Sequence, residues 1–117
     1  MIFVKQSKRF YKSADQIKPL ANGYGGCIAT DEIPVRGRRV GYMYREQPHN
    51  ELDSGWRFLA GDESDEYMGD PDKHGVYDVN TVANYDTDII PYLEAPIGSA
   101  FVRDQETGKL VSLPPDA

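Results

Sequence analysis

Residues 38–46 alternate, with Val40, Tyr42 and Tyr44 on one side and Arg39, Gly41, Met43 and Arg45 on the other. That period of two predicts a half-buried strand. Residues 56–60 follow Gly55 as a second strand whose Trp56 and Phe58 share a face and are expected in the core. Cys27-Ile28-Ala29-Thr30 reads as a small-residue strand, Ile2 to Val4 as another short one, and Val76-Tyr77 as a brief extended piece. Residues 100–112 form a hairpin, two apolar runs around the Gly-bearing loop 104–108.

Between the strands the spacing turns helical. Asp78 is an N-cap, and Val79, Val82 and Ala83 carry a helix to about Tyr85. Asp86 or Thr87 caps a continuation through Leu93, with Pro91 fitting its first turn. Residues 78–93 are thus expected to lie helical against one face of the sheet. Ser13 caps a short helix through Leu20, limited by Pro19, and 62–68 make one acidic turn closed by Gly69. Gly and Pro punctuate the rest: a breaker at 23–26, turns at Pro34 and Gly37 and at Pro71 and Gly75, and a polar loop at 47–55. The order predicts a single α+β domain over 1–117: a mainly antiparallel sheet, short helices packed on one face, and a C-terminal hairpin.

Composition supports a folded domain, with 117 residues and 11% aromatics, a content that disordered chains lack. Net charge is −6, but residues 1–45 hold nine Lys/Arg against three Asp/Glu, and the remainder four against sixteen. Polarity of this kind steers a basic partner to one face. With a pI near 4.8, a nucleic-acid partner is disfavoured. No apolar stretch reaches the ~20 residues of a membrane span, and the three apolar residues after Met1 are too few for a signal-peptide core. One cysteine suits a reducing compartment, so the expected location is cytoplasmic.

Catalytic signatures are incomplete. Cys27 lies among small residues, away in sequence from His49 and His74, and is expected to pack inertly. Ser54 lacks the G-x-S-x-G elbow. Asp70-Pro71-Asp72-Lys73-His74-Gly75 opens like a calcium loop but has Thr81 at position twelve in place of the bidentate Glu. Gly23 to Gly26 lacks the Lys-Ser/Thr of a phosphate loop, and Arg36, Arg38 and Arg39 read as a solvated turn. The expectation is no catalytic, cofactor or metal site. The remaining signal is the acidic run: Asp62, Glu63, Asp65 and Glu66 as steering charges for a basic protein, with Tyr67 as an anchor beside them.

Five strings carry a resemblance: GYMYRE at 41–46, DSGW at 53–56, AGDESDEYM at 60–68, DVNTVANYD at 78–86 and IIPYLEAPIGSAF at 89–101. Their order and spacing resemble a bacterial family, formerly a domain of unknown function, classed with immunity proteins of polymorphic toxin systems (the thirty-third immunity family). The likeness spans about 26–104. It implies an α+β fold and neutralisation of a toxin by binding, without enzymatic activity, and supplies no catalytic residues. A stand-alone adaptor or regulatory domain is the alternative, and a small metal-assisted hydrolase the third reading.

Overall fold

The structure, a computed structural model, describes residues 8–114. The strand expected at 2–4 lies outside them. Six strands, β1 (Gly26–Thr30), β2 (Tyr42–Arg45), β3 (Asp53–Leu59), β4 (His74–Asp78), β5 (Ala100–Arg103) and β6 (Leu110–Ser112), join in the order β4-β1-β3-β2-β5-β6. Every neighbouring pair is antiparallel except β1 with β3. The architecture is α+β, with a mainly antiparallel sheet.

One face of the sheet is buried. Met43 of β2 stands opposite both Phe58 of β3 and Phe101 of β5, and Ala29 of β1 opposite Phe58 on its other side. With Cys27, Trp56 and Leu110 they form a sheet-wide apolar layer. Helix α2 (Val79–Tyr85) and a 3-10 helix (Thr87–Tyr92) cover it through Val79, Val82, Ala83, Ile89 and Leu93. Burying a side chain of this size contributes ~1.5–3 kcal/mol. Trp56 adds a directional link, its indole Nε1 donating to the Leu93 carbonyl at 3.0 Å.

Polar side chains, of which Asn80 and Asp86 are buried, fix the layer in register. Asp78 caps α2 by accepting from the Asn80 amide. Asp86 caps the 3-10 helix by accepting from the Asp88 amide, and also accepts from the Val40 amide at 2.9 Å. Asn80 holds the N-terminal segment: its Oδ1 accepts from the Leu20 and Ala21 amides, each at 2.8 Å, and its Nδ2 donates to the Lys18 carbonyl.

Several elements depart from their sequence expectation for identifiable reasons. Only Ala14–Gln16 is helical where 13–20 was expected, as a 3-10 turn. Pro19 disfavours helical geometry at Lys18, and Asn84 and Asn80 take up the amides beyond. The strand expected over 38–46 is confined to Tyr42–Arg45. Val40 is buried, yet so is Met43, three positions on, which strict alternation forbids. The backbone breaks step at Gly41, which lies so close to β3 that a Cβ there would sit 1.8 Å from the Ala60 carbonyl oxygen.

Strand β3 starts earlier than expected, at Asp53, shortening the 47–55 loop. The extended piece at Val76-Tyr77 is a full edge strand. Residues 78–93 are helical in two segments, broken where Asp86 adopts extended φ/ψ to serve as a cap. Pro91 therefore falls inside the second segment instead of its first turn. The acidic turn is α1 (Asp65–Met68), capped by Ser64, whose Oγ accepts from the Tyr67 amide.

Gly41→Ala is expected to destabilise the protein by about 1–3 kcal/mol, as overpacking does, because the obstacle is backbone. A thermal melt checks this; an unchanged midpoint would refute the close-approach account of the glycine.

Candidate interaction surface

The five residues singled out in the acidic run have four different environments. Glu63 is turned inward: its carboxylate accepts from Thr30 Oγ1 at 2.6 Å and from the Ala60 and Gly61 amides at 2.8 Å. Burial pushes its pKa up, but the hydrogen bonds outweigh this and hold it below the ordinary value. Asp62 is engaged bidentately by Arg38, both bonds at 2.8 Å, and the same guanidinium reaches Glu32. Asp65 and Glu66 stand exposed in the first turn of α1, where the helix dipole favours carboxylates. Tyr67 is half-buried, packs edge-on against His74, and has a buried hydroxyl with no partner among the described residues. Glu63 and Tyr67 thus brace the turn internally, and Asp65 and Glu66 present free-standing charge.

The DSGWR string, Asp53 to Arg57, builds a second and more elaborate structure. Asp53 Oδ1 accepts from the Gly55 amide at 2.9 Å and Oδ2 from the His49 amide at 2.8 Å, closing the loop before β3. Gly55 has φ +88, and a Cβ there would lie 2.2 Å from the Glu46 carbonyl oxygen. This irregular step lets the Arg57 guanidinium reach back along the strand. Its Nη1 and Nη2 bond the two Asp53 oxygens at 2.9 and 2.8 Å, and its Nε bonds Glu46. The Arg57 side chain is only 4% exposed. The guanidinium holds the Asp53 carboxyl well below the usual carboxylate range, and Asp53 in turn raises Arg57.

Arg57 lies on a sheet face that no helix covers among the described residues. In the register, Val76, Ile28, Arg57, Tyr44 and Ala100 are lateral neighbours across five strands. Beside them Leu59, Tyr42, Val102 and Val111 make a second row. An antiparallel sheet with one face in water ordinarily carries polar residues there. Here eight of these nine positions are apolar or aromatic, with a bound guanidinium in the ninth. The Tyr42 and Tyr44 rings lie 5.5 Å apart, and Val76 and the adjoining loop residue Leu52 are 79% and 82% exposed.

Other candidates resolve into structure. Cys27 is buried, and burial, with Asp78 nearby, pushes its thiol to about 12, so the thiolate is suppressed at neutral pH. Arg38 is matched by Asp62 and Glu32, Arg39 by Asp88, and Arg36 lies 3.9 Å from Glu32, which leaves little free charge for a phosphate. Among the described residues no group of three or more His, Cys, Asp or Glu side chains could hold a metal ion, and no helix is long and apolar enough to cross a membrane.

A sheet with helices on one side and an apolar, clamped face on the other defines a small α+β domain. Residues 27–113 match the Immunity protein Imm33 domain, and the chain belongs to that family. No curated protein and no solved structure gives a significant match. The structure adds what the strings alone did not convey: DSGW is a clamp for Arg57, and the tyrosines of GYMYRE face outward. The cue available in the sequence was Arg57 four residues after Asp53, a same-face spacing in a strand.

Removing one partner of a buried ion pair costs about 3 kcal/mol, so Asp53→Asn should lower stability by that order at pH 7. The folded-state pKa of Asp53 lies below its unfolded value of ~3.9. Its contribution is therefore full above that value and lost as pH falls through the folded-state pKa. The gap between wild type and variant should shrink below about pH 4. Denaturation curves from pH 7 to pH 2 check this; a pH-independent gap would show that the carboxylate charge contributes nothing.

Proposed function

We propose that this chain is an immunity protein: a non-enzymatic binding domain that neutralises a toxin in the cytoplasm by occupying it. Membership of the Imm33 family over residues 27–113 carries the reading. The chemistry of the fold agrees with it. The one cysteine is buried, many of the carboxylates are spent on caps, turns and ion pairs, and the remaining features are free surface charge and an apolar face. Binding alone suffices for neutralisation, because a protein that covers a substrate-binding surface abolishes activity without chemistry of its own.

Within this reading Asp65 and Glu66 steer a basic toxin domain toward the chain, and Asp62, Glu63 and Tyr67 hold the turn that displays them. Steering charges act through the association rate and are screened beyond ~8 Å at physiological salt.

The test is to identify a toxin-like reading frame beside the gene and to co-express its product with this chain. Growth should be rescued, and the two purified proteins should form a complex by calorimetry; no rescue and no complex would refute the proposal. Asp65→Lys combined with Glu66→Lys should slow association and flatten its salt dependence while leaving dissociation nearly unchanged. Stopped-flow measurements at two salt concentrations check the kinetics, and unchanged association would assign these charges to solubility alone.

A further inference from the structure

We infer that the uncovered face of the sheet is the surface that grips the toxin, and that it fits a basic protein surface carrying apolar side chains. The inference rests on the immunity reading and names the contact surface within it.

Three observations carry it. The first is the apolar content of the outward positions, concentrated in the two lateral rows around Tyr42 and Tyr44. At the ordinary strand spacing the row from Val76 to Ala100 spans about 19 Å, and contiguous apolar surface rimmed by polar groups marks interaction sites. The second is rigidity. Arg57, at the centre of the row, is fixed by Asp53 and Glu46, and Tyr44 is flanked by Arg57 and Ala100. A surface ordered in advance loses less conformational freedom on binding.

The third observation is the charge at the two ends of the face. Gly26 stands opposite both Asp53 and Asp78, so these carboxylates share the end where the loop carrying Glu46 and Glu51 also lies. Arg57 faces outward there, paired with Asp53 and Glu46; Arg45 turns the other way, toward the Trp56 ring and the Ala95 carbonyl. At the opposite end Thr30 and His74 are paired neighbours, and the acidic turn is tied to both. Thr30 donates to Glu63, and His74 Nε2 lies 3.1 Å from the Met68 carbonyl oxygen. Asp65 and Glu66 therefore flank this end. An apolar centre between two acidic rims has the anatomy of a protein interface, and its sign selects a partner with Lys and Arg around an apolar contact. Nucleic acid is repelled by the same rims.

The experiment uses the full chain and the purified toxin domain identified by the co-expression test. Tyr44→Ala truncates the central aromatic. Val76→Lys places a cation on the face at a position exposed enough to leave folding intact. Glu94→Lys, an exposed change of charge on the helix-covered side, is the control. Tyr44→Ala and Val76→Lys are expected to weaken the complex on the order of thirty-fold, a hot-spot loss, mainly through faster dissociation, with Glu94→Lys binding as wild type. If both face variants keep the wild-type melting midpoint and affinity, the face is not the contact surface, although the immunity reading stands. If wild type fails to bind the toxin, the reading and this inference fall together. Should Tyr44→Ala misfold, Val76→Lys decides alone. Sedimentation velocity of the isolated chain covers the rival occupant: a dimer dispersed by Val76→Lys would assign the face to a second copy and overturn the proposal.

Discussion

A charge buried in the sheet surface organises the uncovered side of this molecule. Arg57 can lie flat against the strands only because two carboxylates take up its donors, Asp53 on two oxygens and Glu46 on a third bond. An unpaired guanidinium at that depth would cost several kcal/mol, so the irregular step at Gly55, the loop before β3 and the start of the strand are all set by the need to bring Asp53 within reach. The same carboxylate closes the loop through the His49 and Gly55 amides. Loop geometry, strand start and the shape of the outward face are therefore one problem with one solution.

The covered side obeys a different constraint. Six strands have one substantial helical region, residues 78–93, with which to bury an apolar face, and it suffices for one side only. Its capping carboxylates do more than start helices. Asp86 also accepts from the Val40 amide and pairs with Arg103, joining the helical layer to the segment before β2 and to β5. Trp56 reaches the Leu93 carbonyl from the opposite direction. The layers are thus connected by polar bonds at their margins and by packing at their centre.

Much of this was legible in the chain. Helix starts at Asp78 and at Asp86 or Thr87 could be read because a short acceptor side chain before an apolar-periodic run has few other uses, and the final hairpin because its loop length and glycine leave little choice. What misled the reading was alternation around Gly41, where Val40 and Met43 are both buried. A pattern rule cannot register a close backbone approach, which is a tertiary fact. The edge strand at 74–78 was concealed by its outward residues, and the parallel pairing of β1 with β3 by the intervening β2. The acidic run was read as one unit, yet the bonds from Thr30, Ala60 and Gly61 to Glu63 come from elsewhere in the fold, and no local pattern announces them. The family resemblance rested on strings whose physical meaning became clear once DSGW was seen to hold an arginine.

Alternation along β2, and along β3 beyond Gly55, separates the residues that hold the fold together from those that meet the outside. Met43 and Phe58 point inward while Tyr42, Tyr44 and Leu59, their immediate neighbours in sequence, point outward. A codon change at an outward position alters surface chemistry and leaves the packed layer untouched, so the two sets of positions are free to drift at different rates. Such a sheet is a keyboard: the outward keys can be re-cut one at a time while the frame beneath them stays the same.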